Sequence, residues 1–105
     1  MENTIIWDGI SGKEYKYWIF PIGTTMKALP GNYIFAQEIT PGRFRPIYVG
    51  ETEDLSVRFE SHHKMTLILL RGASHVCTHS GSPIAEIRRA EERDIIARWN
   101  PIANG

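Results

Sequence analysis

Arg45–His62, RPIYVGETEDLSVRFESH, holds the change of pattern that decides the fold. Its first part, Arg45–Gly50, reads as a strand, with Pro46 near the start, where a missing backbone donor is tolerated. Gly50 lets the backbone turn sharply. Beyond it the pattern becomes helical. Thr52 can cap, Glu53 and Asp54 suit the positive end of a helix, and Leu55 and Phe59 share one face. This helix is expected to end near His63.

Working outward, Tyr15–Ile22 is aromatic and β-branched and reads as a strand. Gly23–Gly31 reads as a loop, and Asn32–Ile39 as a second strand. Thr40-Pro41-Gly42 is a turn signal, so Asn32–Ile39 and Arg45–Gly50 form a hairpin. Met65–Leu70 is a short helix closed by Gly72, and Ser74–His79 alternates as a strand. Ser82-Pro83 marks the start of a helix running to about Arg98, before Asn100-Pro101. Strands, helices, a strand and a long helix argue an α/β or α+β domain. The expected sheet is small and mixed, with three to four strands flanked by helices.

A chain of 105 residues suits one compact domain. Its formal net charge is zero, which argues against a protein that coats nucleic acid non-specifically. An enzyme with a local basic patch remains compatible. Arg88, Arg89, Arg93 and Arg98 are interleaved with Glu86, Glu91, Glu92 and Asp94, and read as a solvated helix face of Glu–Arg pairs. Cys77 is the single cysteine, so no intramolecular disulfide can form, which fits a reducing cytoplasm. Met1–Gly12 does not read as a signal peptide. The longest apolar stretch, Met65–Leu70, is too short to span a bilayer, so no membrane association is expected.

Several side chains carry possible chemistry. Arg58 and His62 are four apart on one helix edge, where a cation and an imidazole could face a phosphate. Tyr33 and Tyr48 sit on the two strands of the hairpin. A tyrosine hydroxyl can take a proton from water where a cation lowers its pKa. On the last helix Ile84, Ile87, Ile95, Ile96 and Trp99 define a broad apolar arc that Glu91 and Glu92 interrupt. A carboxylate in such an arc needs an ionic partner or a cation. Periodicity does not choose between the two glutamates. His75, Cys77 and His79 share one strand face and suggest zinc, but a tetrahedral site needs ligands from a second element, and a packed strand face is the stronger reading.

Taken in order, these pieces resemble the GIY-YIG nuclease family over about three quarters of the chain, Gly31 to Asn104. Gly31-Asn32-Tyr33 resembles the first signature and Tyr48-Val49-Gly50 the second. Arg58 stands ten residues after Tyr48, and His62 four further on, as in many members. Glu92, Ile95-Ile96, Pro101 and Asn104 match the family's closing pattern, which selects Glu92 over Glu91. The resemblance implies a divalent-metal-dependent endonuclease acting on DNA, with Mg2+ or Mn2+ as cofactor. Glu92 would ligate the metal, and Tyr33 would be the base, with Tyr48 beside it. Arg58 would hold the scissile phosphate, His62 would support the phosphate or a tyrosine hydroxyl, and Asn104 would hydrogen-bond within the site. Either the chain would cleave by structure or strandedness, or a partner or a second copy would supply specificity; DNA repair, mobile-element and defence roles are all compatible.

Three departures stand out. Asn32 replaces an apolar residue of the first signature, and the connection from Tyr33 to Tyr48 is long. Glu51 stands where excision-repair relatives carry lysine, a position expected to face substrate. The alternative expectation is a non-catalytic nucleic-acid-binding module that keeps the fold.

Overall fold

The computed structural model describes residues 3–58 and 62–104, with Arg58 described by its backbone alone. Five strands form one sheet: β1 (Thr4–Asp8), β2 (Glu14–Pro21), β3 (Gly31–Thr40), β4 (Arg43–Thr52) and β5 (His75–Ser80). Among the described residues three α-helices accompany them: α1 (Leu55–Arg58), α2 (Met65–Leu70) and α3 (Ala85–Trp99), and a 3-10 turn at Ile102–Asn104 follows.

The strand order is β1-β2-β5-β3-β4, and every pairing is antiparallel. The expected mixed sheet of three to four strands is corrected on both counts. β1, TIIWD, is a short β-branched run that the sequence reading passed over. It pairs with β2 across the turn at Gly9–Lys13, adding a hairpin to the free side of β5. No helix serves as a crossover between parallel neighbours. The segment holding α1 and α2 instead returns the chain to the other side of β3.

Gly42, at a φ of 79°, closes the β3–β4 hairpin, and the Gly42 amide donates to Glu38 Oε2. Pro46 sits beside the register shift between Phe35 and Ala36, where a missing amide disturbs the ladder least.

The sheet is covered on both faces. Trp7, Tyr17, Ile34, Ala36, Val49 and Cys77 pack with Ile95 of α3 on one side. Tyr33, Phe35, Ile47 and Val76 pack with Leu55, Ile68 and Ala103 on the other. This α+β globule has no helix, among the described residues, long and apolar enough to cross a membrane.

The helix boundaries refine the sequence reading. α1 begins at Leu55, and its local cap is Asp54, whose Oδ1 accepts from the Ser56 amide and hydroxyl, in place of the expected Thr52. Phe59 and the helix end near His63 involve positions outside the described residues. α3 begins at Ala85; Ser82 Oγ accepts from the Ile84 amide but caps no helical turn. The expected apolar arc holds only in the second half of α3. Ile84 and Ile87 are each 55% exposed, whereas Arg88 is buried. The expected Glu–Arg pairs within the helix are also corrected. Arg88 and Arg89 bridge to Glu51, and Arg98 to Asp8, because β4 and β1 present carboxylates to the helix.

Candidate active site

Two side-chain clusters lie on opposite faces of β4, one packed on Gly50 and the other around Glu51. The first faces α1 and α2. Tyr33 is buried, and its Oη lies 2.8 Å from His62 Nε2. The Lys64 amide donates to His62 Nδ1 at 3.1 Å. In the neutral ring an accepting Nδ1 leaves the proton on Nε2, so His62 donates to the phenolic oxygen. A donor aimed at that oxygen favours negative charge there. Tyr48 stacks on Tyr33, with ring centroids 6.3 Å apart, and meets His62 edge-on at 4.8 Å. The Lys64 ammonium lies 5.5 Å from the Tyr48 ring centroid and donates to the Ala103 carbonyl. Gly50 makes this packing possible: a Cβ there would come 2.4 Å from Tyr33 Cζ.

The second cluster faces α3. Glu51 is paired across the ladder with Asn32, whose Nδ2 donates to the Arg88 carbonyl at 2.9 Å. Arg88 Nε donates to Glu51 Oε2 at 3.0 Å, and Arg89 Nε to Oε1 at 3.2 Å. Arg88 Nη1 also donates to the Ser82 carbonyl. Glu51 therefore spends both oxygens on arginines rather than projecting towards solvent. Glu92 is half-buried beside it. Burial first, and then the Glu51 charge, push the Glu92 carboxyl above its ordinary value, against the pull of Arg89, Arg93 and the Glu51 backbone. Tyr33 thus packs on Gly50, and Glu92 sits beside the next residue.

Glu91, one step along α3, points elsewhere. Its Oε2 accepts from Tyr17 Oη and from His79 Nε2, each at 2.6 Å. Burial lowers the pKa of His79, but the hydrogen bond and charge of Glu91 outweigh it and leave the imidazole raised above 6.5. A raised folded value makes this contribution complete below the unfolded pKa, near 6.5, and lost as pH rises through the folded value. Thermal melts should therefore show stability falling as pH is taken upward from 6. His79→Gln should flatten that slope, and an unchanged slope would contradict the pairing.

Asn104 acts on the backbone. The Val49 amide donates to its Oδ1 at 2.8 Å, and its Nδ2 donates to the Val49 carbonyl at 2.9 Å. This side chain mimics a neighbouring strand along the outer edge of β4. It fixes the stretch that carries Tyr48 and Gly50. Asn104→Ala should cost about 1–3 kcal/mol, read by urea denaturation. A loss within experimental error of zero would show that the edge does not depend on it.

The Arg58 backbone lies on α1; its side chain lies outside the described residues. The three soft donors of β5 go to separate neighbours. Cys77 is buried, its thiol pushed up to about 12 by burial against the pull of the Trp7 indole. His75 stacks edge-on with Phe44, and His79 is held by Glu91. No group of three or more His, Cys, Asp or Glu residues able to hold a metal occurs among the described residues.

No family model, curated protein or solved structure matches this chain. The site therefore stands on its own geometry. The sequence reading missed Arg88, taken as part of a solvated face, because its partners Glu51 and Asn32 are remote in sequence. One available signal was Asn32 itself, a polar residue in an otherwise apolar stretch of strand.

Proposed function

We propose that this chain is a metal-dependent endonuclease that hydrolyses phosphodiester bonds in DNA. The observation that supports it most is the occupation of consecutive β4 residues, with the Tyr33–His62 pair packed on Gly50 and half-buried Glu92 beside Glu51. A half-buried carboxyl that resists ionisation beside a second carboxylate is suited to a cation. Magnesium takes one or two protein carboxylates and keeps its remaining positions for water and phosphate.

Glu92 would hold the ion, Mg2+ or Mn2+. When bound, it supplies Lewis-acid charge at the phosphate and at the leaving oxygen. Tyr33 would act as a phenolate, its own proton given up to solvent and the negative oxygen stabilised by His62 Nε2–H; its Oη would then receive the proton of the attacking water and become the neutral phenol. Tyr48 would wall the site, and Arg58 would hold the scissile phosphate. Glu51, neutralised by Arg88 and Arg89, would act by placing Arg88 and Glu92 rather than by touching substrate. Asn104 would hold the β4 edge in register.

A second reading, a nucleic-acid-binding module without catalysis, is favoured by the 1% exposure of Tyr33, whose phenol must reach a water to serve as base. The test is incubation of the purified protein with labelled single-stranded, duplex and branched DNA, and RNA, in magnesium, manganese or chelator. Metal-dependent cleavage that Tyr33→Phe reduces by about 10²-fold or more supports the first reading. Binding without cleavage in any metal supports the second.

A further inference from the structure

We propose that Arg89 is a phosphate-binding residue, held by Glu51 as a preset guanidinium fork for the backbone of a nucleic acid. The inference rests on the nucleic-acid reading above but not on catalysis.

Arg88 and Arg89 are consecutive on a helix, so their side chains diverge by about 100°. Glu51 lies between them and gives one carboxylate oxygen to each Nε. The two arginines nonetheless differ sharply. Arg88 is 2% exposed and further fixed by the Ser82 carbonyl; Arg89 is 57% exposed. Among the described residues, neither terminal amino group of Arg89 takes a partner. Its attachment through Nε leaves those two groups clear for a second anion.

An exposed arginine pair of this kind adds little stability, so stability alone gives no reason for it. Orientation does. A free arginine gives up rotamer freedom on binding. Here Glu51, itself anchored by buried Arg88, has already restricted the side chain. A planar fork with two parallel donors fits phosphate oxygens bidentately. Arg93, one helical turn further on, is also exposed. The carboxylate at position 51 thus brings a cation to the site indirectly, rather than repelling phosphate.

The test is fluorescence anisotropy with labelled single-stranded and duplex DNA oligonucleotides in magnesium, over a series of salt concentrations. Arg89→Ala should weaken binding about tenfold at low salt. It should also reduce the slope of log K against log salt by about one. Arg89→Lys should keep the slope while losing part of the affinity. Arg71→Ala, an exposed arginine beside the opposite end of β4, should change neither. Affinity and slope unchanged in Arg89→Ala would overturn the proposal, as would wild-type protein that binds neither oligonucleotide. Arg89-dependent binding with no cleavage in any metal would leave this site standing and remove the nuclease reading. Cleavage with no dependence on Arg89 would do the reverse.

Discussion

Replacing Arg88 by alanine is expected to cost about 3–5 kcal/mol of folding stability. Arg88 is 2% exposed, and two groups depend on its side chain. Its Nε donates to Glu51 Oε2 at 3.0 Å and its Nη1 to the Ser82 carbonyl at 2.8 Å. Truncation leaves Glu51 half-buried with only the exposed Arg89, strands the Ser82 carbonyl, and opens a cavity. A domain of this size is stable by about 5–15 kcal/mol, so the loss should lower Tm by more than about 10 °C. Charge and volume separate in a double-mutant cycle. Glu51→Leu with Arg88→Met removes both charges and keeps apolar bulk, and should recover most of what either single change loses. A loss under about 1 kcal/mol in Arg88→Ala would mean that Glu51 is satisfied without it.

Glu92→Gln is expected to make the protein more stable while removing the proposed cleavage activity. The sign follows from the direction of the shift. The Glu92 carboxyl is raised in the folded state, by burial and then by Glu51. Its contribution is therefore most favourable below the ordinary carboxyl value and is lost as pH rises through the folded value. At neutral pH the ionised side chain costs stability. Because it is only half-buried, solvent screening keeps the gain on replacement to about 0.5 kcal/mol or less. Melts of the two proteins should coincide near pH 4 and separate in favour of the variant towards pH 7. If the variant is instead less stable at neutral pH, Glu92 has a structural partner and is a poor candidate ligand.

The fold was legible where periodicity and turn chemistry agree. The Thr40-Pro41-Gly42 turn, the switch to helix after Gly50, and the end of α3 at Asn100 follow from local residues, and Asn100 adopts the left-handed cap at a φ of 46°. β1 was missed because five residues of β-branched and aromatic character carry little signal without the partner strand they pair with. The apolar arc of α3 was over-read at its start. There the core-facing position belongs to Arg88, whose burial depends on Glu51, 37 positions away in sequence. Pairwise satisfaction of that kind has no periodic trace. Tyr33 and His62 were legible as candidates, but not their hydrogen-bond polarity, which the Lys64 amide sets. Glu91 and Glu92 look alike along the helix. Tyr17 and His79 engage the first, and the end of β4 faces the second.

Cleavage of labelled DNA by wild type, Glu92→Gln and Glu91→Gln in parallel, each in magnesium, manganese and chelator, tests the central claim most directly. The account predicts metal-dependent cleavage by wild type, a loss of at least about a hundredfold in Glu92→Gln, and activity largely retained in Glu91→Gln wherever that variant is folded. Equal cleavage by wild type and Glu92→Gln would contradict it, as would cleavage that persists in chelator.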